Sequence, residues 1–434
     1  MTFPYQATAQ QVETLRQLAR TYLEIAADPK QEARRELWRR HNALEHTRTP
    51  ILCSWLWSSN TEWNLLRDEC VCTGGILLFI ERWLRNRIFQ DTLGDDMVLE
   101  PWIPIRAVLH GPNDTDWGMY TESGMNPFEN LWGENQTFKR DGDAWQAVPF
   151  VESSKDIYER LHPVHHRVNE EATAKRLEYL NEIFDGILPI HMDRNSIYRS
   201  TYGGCDLSEA LGKFIGIENI YYLVYDDPEL LHELASFMQK AVLANFEEAE
   251  QAGDFQPDGT INANVGMPYT AGMEDPACGQ KGKLMSEQWI FTHGQEFASV
   301  SAQMHKEFLL DYQIPILSKF KYASYGCCED LTHKIDMLRS IPNLRRIAVA
   351  PTADLAKCAE QIGTDYSICW RPSPACVTVS FDEEAIRKQI RKGLEESKGC
   401  IVDIMLKDIM HVDGEPSRLK RWVEIAMDEA ERIG

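Results

Sequence analysis

The chain has 434 residues, a formal net charge of −22 at pH 7 and 43% hydrophobic residues. That is a globular composition, and its acidic surface would repel nucleic acid. No apolar run approaches the ~20 residues that span a bilayer. Met1 to Thr14 lacks the basic-then-apolar layout of a secretory leader, so the cytoplasm is the expected compartment. Eleven cysteines, an odd and irregularly spread set, fit reduced thiols better than a disulfide framework.

In chain order, Val12, Leu15, Leu18, Ala19, Tyr22 and Leu23 recur at helical spacing and predict helix from Ala9 to about Asn42. Thr49 to Trp55 is a short apolar run behind Pro50, read as a strand. Helix is predicted from Leu65 to Phe89, broken by Gly94-Asp95-Asp96, with a strand from Met97 to Val108. His110 to Phe150 is rich in Gly, Asn, Asp and Trp and shows no helical period. It is expected to be an irregular insertion of the kind that forms lids and binding loops.

Beyond it, strand and helix alternate. Strands are predicted at Gly186–Met192, Thr260–Val265, Ile314–Ser324, Leu344–Ala350, Tyr366–Trp370 and Cys400–Leu406. Helices are predicted at Glu170–Phe184, Leu207–Ile215, Pro228–Ala252, Gln295–Tyr312, Asp330–Ser340, Ala353–Ile362, Glu383–Glu396 and Ser417–Arg432. Such alternation implies parallel βαβ units, and no Gly-x-Gly-x-x-Gly follows the early strands to argue for an open dinucleotide-binding sheet. The expected fold is therefore α/β, a (β/α)8 TIM barrel over residues 49–434. An N-terminal helical extension (1–48) precedes it, and the insertion falls at about 110–150.

Chemistry in such a barrel gathers at the C-terminal strand ends. These carry His191, Asp193 and Arg194, then Asn262 and Asn264, then Tyr325, Cys327, Cys328 and Glu329, then Trp370 and Arg371, and last Lys407, Asp408 and His411. Two adjacent thiols beside a carboxylate are a candidate soft-metal corner, with Cys327, Cys328, Glu329 and His411 as candidate ligands. Adjacent cysteines bridge to each other only with strain. Glu329, Lys407 and Asp408 are candidates for catalysis. His191, Asp193, Arg194, Asn262, Asn264, Tyr325, Trp370 and Arg371 are candidates for holding substrate; guanidinium suits a carboxylate. The duller reading makes Lys407–Asp408 a closing ion pair and one cysteine a small buried hydrophobe.

Several stretches carry a family resemblance. They are Gly212-Lys213-Phe214-Ile215-Gly216-Ile217-Glu218, Tyr225-Asp226-Asp227-Pro228-Glu229-Leu230, Tyr325 to Glu329, Ile341-Pro342-Asn343-Leu344-Arg345-Arg346, and Lys407-Asp408 with Pro416-Ser417-Arg418-Leu419. With them the chain resembles the uroporphyrinogen decarboxylase superfamily, which also contains zinc-dependent cobamide methyltransferases, and within it a branch with a Tyr-Gly-Cys-Cys-Glu signature. Two departures matter. Pro50 to Trp57 lacks the arginines with which the decarboxylases grip substrate carboxylates. Tyr325 stands where the methyltransferases have a zinc-binding His, Cys328 replaces a glycine, and no cysteine follows Lys407-Asp408.

The resemblance implies a corrinoid-dependent methyltransferase-like enzyme. It would move a methyl group between a small methylated substrate (a methyl ether or methylamine) and a separate corrinoid protein, assisted by zinc. The alternatives are a decarboxylase (lyase) of a small or tetrapyrrole carboxylic acid and a non-catalytic tetrapyrrole- or corrinoid-binding protein. A homodimer is the family-level expectation.

Overall fold

The computed structural model describes residues 6–54, 69–110, 120–121, 124–125, 132, 138–141, 144–199, 205, 207–256, 266–409 and 412–433. Helix α1 (Ala9–Ala26) opens with a capping box in which the Thr8 side chain accepts from the Gln11 N–H. Helix α2 (Lys30–Asn42) follows, and Asp28-Pro29 between them divides what the periodicity reads as one helix. Proline cannot continue α1 but is tolerated where a new helix begins. Helix α3 (Gly75–Leu93) ends at Gly94, whose φ of 76° is the left-handed C-cap that glycine adopts without strain.

Two parallel sheets follow in chain order. Strand β1 (Ile51–Cys53) lies at the edge of a six-stranded sheet. Strands β2 (Ile103–Arg106) and β3 (Ile190–Asp193) pair with each other, Ile103 opposite Ile190. The remaining strands are β4 (Trp289–Thr292), β5 (Tyr322–Tyr325), β6 (Leu344–Val349), β7 (Ser367–Trp370) and β8 (Ile401–Leu406). They run from β4 through β8 to β1, all parallel. The architecture is α/β, with helices between successive strands. Two antiparallel hairpins, Tyr120–Thr121 with Gly124–Met125 and Phe138–Asp141 with Ala144–Ala147, fall within the predicted insertion.

One strand prediction needs correction. Ile314 to Leu317 closes a helix, Asp311–Leu317, with Pro315 inside it, and the strand there is only Tyr322–Tyr325. The helix runs on from a π-helical segment, Lys306–Leu310. The four-residue strand β4 is absent from the periodicity reading. Thr260 to Val265, predicted as a strand, lies outside the described residues.

Strand residues alternate between two apolar clusters, as the two-residue pleat requires. Ile51, Ile347, Val349, Ile368, Trp370, Ile404 and Leu406 pack with the helices that follow the strands. Leu52, Ala348, Cys369 and Met405 belong to a second cluster with Leu15, Ala19 and Tyr22 of α1, Trp38 of α2 and Ile80 of α3. The N-terminal helices thus share a core with one face of the sheet.

That face also carries a buried polar network. Arg346 of β6 pairs with Asp403 of β8, both with fully buried side chains. His41 Nε2 lies 3.1 Å from the Asp403 carboxylate, and Asn42 donates to the carbonyls of Met267 and Tyr269 at 2.8 and 2.7 Å. The Arg346 guanidinium sits 5.5 Å from the Trp38 ring. A buried ion pair is tolerable only when its remaining hydrogen-bonding groups are met, and here α2 helps to meet them.

Candidate functional site

At the C-terminal end of β5 the chain must turn sharply, and Gly326 makes the turn at φ 105°. Its N–H donates to the Thr292 carbonyl of β4 at 3.0 Å. A Cβ here would press on the Leu331 side chain and, at 3.2 Å, the Ala348 carbonyl, so only glycine fits without strain. The turn presents Cys327 and Cys328. Cys327 is buried and Cys328 exposed, with their sulfurs 3.5 Å apart.

Glu329, almost wholly buried, staples this turn from within. Its carboxylate accepts the Cys327 N–H at 2.7 Å and the Gly294 N–H at 2.8 Å. The next peptide, which joins the two cysteines, is fixed by Arg371, which donates to the Cys327 carbonyl at 2.5 Å.

Strand β8 ends beside the thiols. Lys407 Nζ lies 3.4 Å from the Cys327 sulfur and 3.5 Å from that of Cys328. It is also 3.4 Å from Asp408, which occupies the left-handed region at φ 61°. Asp408 comes within 3.9 Å of the Cys328 sulfur.

The electrostatics separate the two thiols. The hydrogen bond with Cys327 and then the Lys407 charge bring Cys328 down to about 6 against its partial burial. The same hydrogen bond and burial push the Cys327 thiol up. This arrangement favours a thiol that donates to a neighbouring thiolate. Burial and Arg371 work against the charge of Lys407, yet the two sulfurs and Asp408 hold its pKa above the ordinary lysine range.

The other sequence-derived candidates divide by position. Tyr325 and Trp370 face the helix-side cluster. Tyr325 is fully buried, its hydroxyl 2.7 Å from His305 Nε2 and donating to Gln313 at 3.3 Å. Trp370 packs over Gly393, where a Cβ would run into its ring. Strand alternation then turns Arg371 the other way, toward the thiols.

His191, Asp193 and Arg194 have partners of their own at the end of β3. His191 Nδ1 accepts from the Gly279 N–H at 2.9 Å. Asp193 pairs with Arg106 at 2.6 Å, which, together with hydrogen bonds from Asn195, holds its carboxyl below the usual range despite burial. Arg194 pairs with Asp254 and Glu170. Asn262, Asn264 and His411 lie outside the described residues.

Sequence reading missed His293, which follows β4, is nearly buried, and lies close enough to favour the Cys327 thiolate. The signal was the run Trp289-Ile290-Phe291-Thr292 ahead of His293-Gly294, a strand too short to stand out by periodicity.

The donor set bears on zinc. Two sulfurs 3.5 Å apart approach the ~3.8 Å edge of a tetrahedron with Zn–S bonds of about 2.3 Å. The Lys407 ammonium, however, lies against both sulfurs and Asp408, where a dication would sit. Among the described residues no group of three or more His, Cys, Asp or Glu is arranged to hold a metal ion. The described donors fit a lysine-neutralised thiol pair and do not fit a closed zinc site.

No family model matches this chain, and no curated protein matches it. Among solved structures, a methyltransferase from Methanosarcina mazei is similar in fold, with a TM-score of 0.51. The match covers 91% of this chain and 98% of that one, at 12% identity.

Proposed function

We propose that this chain is a methyltransferase whose reacting centre is the Cys327–Cys328 pair, set at the mouth of a (β/α)8 barrel of which the two parallel sheets are arcs. One observation carries the reading: an exposed sulfur, hydrogen-bonded to a buried one and neutralised by Lys407, stands at the C-terminal ends of parallel strands. The fold shared with a methyltransferase from Methanosarcina mazei is consistent with it. The substrate would be a small methylated compound, an ether or an amine, and the partner a corrinoid protein.

In this reaction the Cys328 sulfur attacks the methyl carbon in line, and the carbon–oxygen or carbon–nitrogen bond breaks. The departing heteroatom takes a proton from Lys407. Methylation removes the negative charge that holds the lysine proton, so proton release follows the chemistry. The sulfur then yields the methyl group to reduced cobalt of the corrinoid protein and returns as thiolate, while Lys407 regains its proton from water. Arg371 and Glu329 fix the backbone on either side of Cys327. No step passes through zinc.

Decarboxylation is less well served. It needs cations turned to the substrate carboxylate, whereas Lys407 faces the sulfurs and Arg371 the Cys327 carbonyl.

The test is incubation with isotope-labelled methyl ethers and methylamines, followed by peptide mass mapping. The expected result is label on Cys328, absent in Cys328→Ser and discharged by a reduced corrinoid. Methyl transfer with no label on Cys328, by protein carrying one zinc that both Cys327→Ser and Cys328→Ser lose, would overturn the proposal in favour of a metal-centred reaction.

A further inference from the structure

An exposed sulfur beside a second sulfur is the arrangement that thiol–disulfide exchange uses. Of the exposed cysteines, Cys278 and Cys328, Cys328 has the Cys327 sulfur at 3.5 Å. Its partner is buried, shielded from a bulky reagent yet in contact. The peptide between them is clamped by Arg371 on its carbonyl, and the preceding N–H by Glu329.

We propose that Cys327 and Cys328 form a thiol–disulfide exchange site whose substrates are small-molecule disulfides, with Cys328 as the attacking sulfur and Cys327 as the resolving one. The Cys328 sulfur, as thiolate, attacks one sulfur of the small disulfide. That bond breaks, and the first small thiol leaves with a proton from water. The Cys327 thiol gives up its proton to water and attacks the Cys328 sulfur, expelling the second small thiol. In sum the protein loses two electrons and the Cys327 proton, water supplies one further proton, and one disulfide becomes two thiols.

Geometry sets the character of the product. Neighbouring Cα atoms are about 3.8 Å apart across a trans peptide, below the ~4.4–6.8 Å span of ordinary disulfides. The bridge is therefore strained, and strained bridges are the easily reduced, reversible ones. Forming it consumes the sulfur assigned to methyl transfer, so exchange would switch that reaction off. The inference itself stands on the thiol geometry and is tested with no methyl donor present.

The experiment equilibrates the purified full chain with oxidised and reduced glutathione, quenches with acid and maps peptides by mass. Wild type is expected to form the Cys327–Cys328 bridge. At fixed oxidised glutathione, the bridged-to-dithiol ratio should fall about a hundredfold for each tenfold rise in reduced glutathione, because two thiols are released. Cys327→Ser should instead stop at glutathione on Cys328, falling about tenfold for the same rise. Cys328→Ser should leave this peptide unmodified. A wild-type protein that keeps glutathione on Cys328 without bridging, or that leaves this peptide unmodified in oxidised glutathione alone, would overturn the proposal. The wild-type arm decides even if a variant fails to fold.

Discussion

The Glu329 carboxylate accepts two backbone N–H groups in a nearly water-free position. Replacing it by alanine strands both donors, each at a cost of about 1–3 kcal/mol. Glu329→Ala is expected to lose about 2–5 kcal/mol of stability, read from urea unfolding, and Glu329→Gln less, since one acceptor remains. A loss below about 1 kcal/mol for the alanine variant would mean the staple is not as drawn. In the sequence this residue stands beside two thiols and reads as a ligand. Its partners are backbone groups, one from the distant β4 loop, and no side-chain pattern announces them. Arg371 and Lys407 were legible because charged residues at strand ends are costly unless used. What they face, the sulfurs and the carbonyl between them, depends on which way each strand points its last residue.

Longer elements were the most legible. Helix Glu383–Glu396, capped by Asp382 accepting the Ala385 N–H, and strand β8 follow from periodicity and turn chemistry. Ile314-Pro315-Ile316-Leu317 misled because a short apolar run reads as a strand although its internal proline argues against one, and Ile316 and Leu317 pack into the core from a helix. The α3–β2 connection supplies a pH test. Asp95, buried where it accepts the Cys53 and Met97 N–H groups, is raised by burial from the ordinary 3.8 to about 7. The folded state then holds a proton that the unfolded chain gives up, so this residue's contribution to stability falls as pH rises from about 4 to about 7. Relative to wild type, Asp95→Asn should therefore gain stability across that window, measured by urea midpoints at several pH values. A pH-independent difference would contradict the assignment.

For the whole molecule, the N-terminal helices are bound up with the sheet they cover. Tyr22, Trp38, His41 and Asn42 are nearly or fully buried, and His41 and Asn42 reach Asp403, Met267 and Tyr269. Deleting residues 1–48 is expected to abolish cooperative unfolding. A truncated chain that melts in one sharp transition would show that the segment is dispensable. Arg346→Met should cost about 3–5 kcal/mol by leaving Asp403 poorly compensated, and the double variant Arg346→Met/Asp403→Leu should regain much of that in the same urea experiment. Periodicity outlined the α/β alternation and the helical N-terminus. It did not reveal how those helices enter the core, because a histidine and an asparagine at the end of α2 carry that information only once Arg346 and Asp403 are brought opposite them.

Both the methyl transfer and the disulfide exchange require Cys328 to be a thiolate held by its neighbours at neutral pH. The measurement is the rate of iodoacetamide alkylation of Cys328 against pH, followed by peptide mass mapping in wild type and Lys407→Met. Only the thiolate reacts, so the wild-type rate should be half-maximal near pH 6, where the Cys327 hydrogen bond and Lys407 place the thiol, and fall below it. Lys407→Met should move that midpoint upward, since the lysine charge is one of the groups that hold the thiol down. A wild-type midpoint at the ordinary thiol value of about 8.5, unmoved by the lysine substitution, would contradict the account.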